Sequence, residues 1–248
     1  EAAVDCVPLP ITLDDPRASD PAALARALAP LDIVFPRFVK PVKATFSVLS
    51  RRVDDFDELV RHCRFGRFER LLLRRLVTPY ASLARDLVDM PCAPTAMLLE
   101  TPIEGHQVNV DGYAHDGRIG IIGMVDEWMY ANRAGGARHF LRFGYPSVVA
   151  AEIRSRIARV VTRLMQAIGF RSGFFNAELF VLDDGSLRFI EINPRLAVQF
   201  VGLYRDIEGL DMHRMMVAMA TGRDPETVPR LARRARAGAS FVFRRFDG

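Results

Sequence analysis

Alternation is the clearest pattern in this chain. Along Phe174-Phe-Asn-Ala-Glu-Leu-Phe-Val-Leu182, and again along Leu187-Arg-Phe-Ile-Glu-Ile-Asn193, apolar and polar side chains trade places, with Asp183-Asp-Gly-Ser186 between. A period of two is the strand period, so these stretches predict a hairpin of strands over Phe174–Leu182 and Leu187–Asn193. The same pattern predicts strands over Ala96–Leu99, Gln107–Ala114 and Ile119–Val125, the last two joined through Asp116-Gly117. Further strands are expected over Ile33–Val39 and Ala239–Arg244.

Elsewhere the period is helical. Val149, Ile153, Ile157, Val160, Leu164 and Ile168 fall on one helix face, which predicts a helix capped by Ser147 and stopped by Gly169. Pro21–Ala29 follows the N-cap residue Asp20, and Phe56–Cys63 follows Asp54 with Asp57 and Glu58 in an acidic first turn. Phe68–Leu87 reads as helix broken around Pro79, and residues 211–221 read as helix. Strands and helices mix without strict alternation, so the expectation is an α+β architecture of two lobes, 1–97 and 98–248.

At 248 residues and 50% hydrophobic, the chain can bury one large core or two smaller ones. No apolar run approaches the roughly 18 residues of a membrane span, and the N-terminus has no signal-peptide pattern, so a cytoplasmic protein is expected. It does not begin with Met, which fits a fragment or a processed chain. Cys6, Cys63 and Cys92 are scattered and lack metal-ligand spacing. The net charge of +4 comes from interspersed charges, and the one basic cluster, Arg230–Arg236, reads as a solvated face. Neither a nucleic acid nor a membrane is expected as partner. Lysine is almost absent: Lys40 and Lys43 are the only lysines among 34 basic residues, which points weakly to a phosphate site near them.

The predicted hairpin carries candidate chemistry. A tight turn at Asp184-Gly185, or equally a four-residue loop over Asp183–Ser186, sets Glu178 opposite Glu191 and Asn176 opposite Asn193, all on one face. Like charges placed opposite one another destabilise a sheet. A cation between them removes the conflict, and Mg2+ suits oxygen ligands shared with water and phosphate. The competing reading is a solvent-exposed polar face. Arg195 lies just past the strand end, placed to reach a phosphate held there.

Phe-Asn-Ala-Glu178-Leu-Phe followed by Ile190-Glu-Ile-Asn-Pro-Arg195 resembles the magnesium-binding signature of ATP-grasp enzymes. Three further segments fit in order: Phe38-Val-Lys-Pro41, Leu98-Leu-Glu-Thr-Pro-Ile-Glu-Gly105, and the strands Asn109–Tyr113 and Gly123–Glu127. The resemblance implies an ATP-grasp fold with the nucleotide between two lobes, and a ligase joining a carboxylate to an amine through an acyl phosphate. ATP and Mg2+ are the implied cofactors, and small-molecule carboxylate and amine substrates the implied partners. It implies that Lys40 holds phosphate and that Lys43, Ser47 and nearby amides cover the phosphates. Glu100, Thr101, Ile103 and Gln107 would serve the nucleoside, Glu178, Glu191 and Asn193 the magnesium, and Arg195 with Lys40 the transferring group. Three departures stand out: the phosphate loop Lys43-Ala-Thr-Phe46 has no glycine, Gln107 stands where the family often has a ribose-binding Glu, and no lysine precedes Lys40. The alternative is therefore a non-catalytic ATP-binding module. The missing family parts would lie in a longer parent chain, or this is a reduced module, with homo-oligomerisation left open. His139, Phe140, Arg142, Phe143 and Tyr145 line a substrate site or anchor a packed loop.

Overall fold

Two antiparallel sheets organise the chain, one in each of two compact units. The computed structural model describes residues 6–12, 15, 17, 20–42, 49–87, 93–130 and 140–243. The first unit holds the described residues up to 102, and the second holds 103–130 and 140–243.

In the first unit the strands β1 (Cys6–Thr12), β2 (Arg37–Pro41), β3 (Arg51–Val53) and β4 (Ala96–Glu100) pair in the order β1-β4-β2-β3. Because β4 pairs with both β1 and β2, this unit extends beyond the boundary expected after residue 97. Two helices cover the sheet, α1 (Pro21–Leu28) and α2 (Phe56–His62). Leu24, Leu28, Leu59 and Cys63 pack on Val39, Val53, Met97 and Leu99, all nearly without exposure. Burial there pushes the Cys63 thiol up to about 12, so it stays a protonated core group.

Asp20 caps α1 as expected, but α2 is capped by Asp55 rather than Asp54: its carboxylate accepts from the Glu58 N–H at 2.7 Å. β2 starts only after Pro36, since Ala29–Leu31 continues past α1 as a 3-10 turn and Pro36 cannot donate to a ladder. The long helix α3 (Arg67–Leu87) is unbroken, with Pro79 inside it. Pro79 and Arg75 are exposed, so water can take the place of the missing N–H.

The second unit is a six-stranded antiparallel sheet. Its strands are β5 (His106–His115), β6 (Arg118–Met129), β7 (Phe140–Tyr145), β8 (Gly173–Val181), β9 (Leu187–Asn193) and β10 (Gly238–Phe241), ordered β10-β7-β6-β5-β8-β9. Asp116 (φ 52°) and Gly117 (φ 83°) make the expected two-residue turn between β5 and β6. One face is covered by α4 (Ala151–Ala167), whose Ile157, Val161 and Met165 meet Val108, Val110, Phe175, Ala177 and Leu179. On the other face α5 (Val201–Glu208) and α6 (Met212–Ala220) pack with Tyr113, Val125, Phe143, Tyr145 and Phe174.

The start of α4 departs from expectation. Ala150 is its N-cap, without a side-chain bond; Ser147 lies three residues earlier, where its hydroxyl donates to Asp126 and accepts from the Val149 N–H. Ile168 is exposed at the helix end, and Gly169 (φ 71°) stops the helix as expected. The aromatic run before α4 is strand β7 and packs inward: Phe143 and Tyr145 are buried, while the Arg142 guanidinium lies 4.3 Å from the Trp128 ring centroid. His139 lies outside the described residues. Among the described residues no helix is long and apolar enough to cross a membrane.

Gly123 lets two tyrosines close on β6. An added Cβ would meet Tyr204 Cε1 at 2.6 Å and Tyr145 Cε2 at 2.8 Å. Gly123→Ala should therefore lower unfolding free energy by about 2 kcal/mol, read from the urea midpoint.

Candidate functional site

The β8–β9 hairpin places its carboxylates by two offsets that cancel. Its connection is not a two-residue turn. Gly185 N–H donates to Leu182 O, Leu182 N–H donates to Ser186 O, and Gly185 is left-handed at φ 76°, the pattern of a three-residue loop ending in a glycine bulge. That shifts the register near the loop, pairing Leu179 with Phe189. A bulge at Ile190 then shifts it back. Beyond it Glu178 faces Glu191 and Asn176 faces Asn193, the pairing expected from sequence.

Glu178, Glu191 and Asn193 share a face, as the bonds between them show. Asn193 Nδ2 donates to Glu178 Oε1 at 3.2 Å and to Glu191 Oε1 at 3.0 Å. The amide N–H groups stand where a cation would sit, bridging two carboxylates that otherwise repel. Glu178 is half-buried and its carboxyl is pushed up to about 8, first by burial, then by Glu191 and Glu127, against the pull of Arg195. Such a group ionises readily only beside positive charge. Turning the Asn193 amide would offer its oxygen, so the set fits Mg2+ with two carboxylates and one carbonyl. Among the described residues no three His, Cys, Asp or Glu side chains form a metal group by themselves, so water and phosphate oxygens would have to complete a magnesium shell. Arg195 is exposed just past β9, and its charge lowers the pKa of both Glu178 and Asp111.

Sequence reasoning named Gln107 and Asn176 on this face but missed Asn109, Asp111 and Glu127. Gln107, Asn109 and Asp111 of β5, Glu127 of β6 and Asn176 of β8 are all buried polar side chains. They are linked: Asn109 Nδ2 donates to Glu127 Oε2 (2.8 Å), Asn176 Nδ2 to Asn109 Oδ1 (3.3 Å) and Asp111 Oδ1 (3.1 Å), and the Tyr204 hydroxyl to Asp111 Oδ2 (2.6 Å). Burial raises Asp111 to about 7 despite the bonds from Tyr204 and Asn176. Glu127 is likewise raised to about 7, by burial and then by Glu191, against the Asn109 bond. The available signal was alternation: Gln107, Asn109 and Asp111 sit two apart in an otherwise apolar strand.

The remaining expected residues are divided between β2, β4 and the residues after it, and β5. Lys40 of β2 and Glu100 of β4 form a half-buried ion pair at 2.9 Å. Thr101 Oγ1 accepts from Arg37 Nη1 at 3.1 Å. Ile103 is half-buried, and Gln107 on β5 shares the face of Asn109 and Asp111. Lys43 and Ser47 lie outside the described residues.

Two units, each an α+β sandwich, with facing carboxylates on the larger sheet invite comparison with known proteins. A family model described as ATP-grasp domain matches residues 33–202. The chain belongs to the ATP-grasp family. The α+β fold expected from sequence is the one observed, and solved ATP-grasp structures share it. This ATP-grasp chain superimposes on L-amino acid ligase from Bacillus licheniformis with a TM-score of 0.65 at 20% identity, over 88% of the chain and 49% of the ligase. Against biotin carboxylase from Campylobacter jejuni the TM-score is 0.57 at 17% identity, over 90% of the chain and 43% of the carboxylase. It is also 30% identical over 133 residues to carnosine synthase 1 of Gallus gallus, 52% of the chain and 14% of that protein. It thus spans half or less of the length of each of these relatives.

Proposed function

We propose that this chain is the ATP- and magnesium-binding part of a ligase that joins a carboxylate to an amine through an acyl phosphate, releasing ADP and phosphate. One observation carries this reading: Glu178 and Glu191 face each other across β8 and β9, with Asn193 between them. Two facing carboxylates, Glu178 half-buried and Glu191 exposed, cost stability in the free chain and gain a purpose once a cation arrives. The names of the relatives, a carnosine synthase and an amino acid ligase, are consistent with amide formation.

Glu178, Glu191 and Asn193 would hold the magnesium, which supplies charge neutralisation for phosphoryl transfer. Arg195 would steady the transferring phosphoryl group as its negative charge shifts. Lys40 would meet the ATP phosphates, held in place by Glu100, with Lys43 and Ser47, a few residues further along the sequence, joining it. Thr101, Ile103 and Gln107 would serve the nucleoside. Phosphoryl transfer needs positioning and charge more than covalent help, and these residues provide both.

The direct test is Glu191→Gln. In wild type, MgATP at about 100 times its Kd should add about 2.7 kcal/mol of stability, seen as a higher melting temperature. The variant should lose most of that gain while melting normally without ligand. Phosphate release from ATP when carboxylates and amines are added then decides for the ligase. The glycine-free loop Lys43–Phe46 favours a second reading, a passive nucleotide-binding module. Tight MgATP binding without turnover in the full-length protein would select it.

A further inference from the structure

Inward from the magnesium candidates, the polar face ends in acceptors that no group among the described residues satisfies. Glu127 is 5% exposed; its Oε2 takes the Asn109 amide, and its Oε1 has no hydrogen-bond partner among the described residues. Asn176 has no exposure; its amide N–H2 serves Asn109 and Asp111, and its Oδ1 is likewise without a partner among them. Asn109 joins the two, giving to one and receiving from the other. The amide N–H groups and the Tyr204 hydroxyl are turned onto the carboxylates and onto Asn109. The strip therefore presents carboxylate and carbonyl oxygens, and buried oxygens of this kind are costly to leave unpaired.

A group that only donates and carries positive charge completes such a strip. An ammonium has three N–H donors and no acceptor. We infer that Glu127 seats the ammonium group of the amine substrate, with Asn176 Oδ1 as a second acceptor, and that the free Glu127 oxygen takes the proton the amine must lose before its nitrogen bonds to the acyl carbon and phosphate leaves, so that the enzyme selects a primary amine that arrives in its cationic form. This rests on the ligase reading above and adds its acceptor class. Magnesium fits this place less well: it demands near-octahedral oxygen coordination, and Glu127 offers one free oxygen while the other is held by Asn109.

Glu127→Gln removes the charge and keeps the shape and an acceptor for Asn109. Full-length protein would be given MgATP and the twenty common amino acids, first alone and then with hydroxylamine, a nucleophile uncharged at neutral pH. Phosphate release through amide formation should fall at least about 30-fold in the variant. Hydroxamate formation, which reports the acyl phosphate with an uncharged nucleophile in place of the ammonium-bearing acceptor, should fall less than about threefold. Equal loss of both reactions would place Glu127 with the metal and phosphates and overturn the inference, as would undiminished amide formation. Loss of one bound Mn2+ per chain in the variant would give the place to a metal ion and overturn it too. Absence of any hydroxamate in wild type would remove the ligase reading itself, and the inference with it. Should Glu127→Gln fail to melt cooperatively, Glu127→Ala with and without added formate gives the same comparison, formate restoring amide formation.

Discussion

Raising the pH from 5 to 8 without divalent cation should lower the stability of this protein, and MgATP should remove most of that loss. Glu178 is held up to about 8, and Asp111 and Glu127 to about 7, in each case chiefly by burial. Unfolded, the same groups ionise near 4.5 for glutamate and 3.8 for aspartate. Across the interval the folded chain keeps protons that the unfolded chain has released. Stability is then fully present below the ordinary values and is lost as the pH climbs through 7 to 8, by up to about 1.4 kcal/mol per pH unit for each group. The three share one face, so their losses are coupled, and the total should be on the order of 4 kcal/mol. Urea midpoints at pH 5, 6, 7 and 8, in EDTA and then in MgATP, would show it. A stability that rises with pH in EDTA would mean the carboxylates are already ionised and paired, against the site as described.

The second large effect lies on the opposite face of the same sheet. Asp126 has no exposure and accepts three bonds: His106 Nε2 at 2.8 Å, the Ser147 hydroxyl at 2.6 Å and the Val148 N–H at 2.6 Å. It ties the start of β5 and the approach to α4 to the end of β6. Asp126→Ala should cost about 3 kcal/mol, since the buried Ser147 hydroxyl and the part-buried His106 and Val148 donors lose their acceptor. Chemical denaturation measures this, and a cost under about 1 kcal/mol would show that water replaces the carboxylate easily. Because Asp126 faces away from Glu178, the variant should keep its stabilisation by MgATP at temperatures where it is folded.

Much of the fold was legible because alternation and turn residues carry their own geometry. Asp116-Gly117 gave its hairpin directly: both positions need left-handed backbone, and Asp and Gly supply it. The Glu178–Glu191 pairing was read correctly from a turn that is not there. A three-residue loop and a bulge at Ile190 shift the register in opposite senses, and alternation alone cannot reveal a bulge inside an apolar run. Ser147 was misassigned for a different reason. A serine before an amphipathic stretch looks like a cap, but the helix begins three residues later, and Ser147 is tied instead to a buried carboxylate distant in sequence. Pro79 does not break α3, because on an exposed helix the freed carbonyl can be hydrated.

The inner face was missed because which residues share a face is local information, whereas what covers that face is not. Asn109 and Asp111 alternate with valines, so their common face could be read, but their burial depends on Tyr204 arriving from α5. Lys40 was singled out by its rarity. Its ion pair with Glu100 arises from a non-local pairing of β2 with β4 that no local pattern encodes.

The bulge at Ile190 also separates the hairpin's tip from its working end. Residues 183–186 close the ribbon on one side of the slip, and Glu178, Glu191 and Asn193 stand on the other. A change of loop length at the tip would be absorbed there before it reached the facing acids. That makes the tip a suitable point to graft a fluorescent label or to open new chain ends by circular permutation, leaving the cation seat undisturbed.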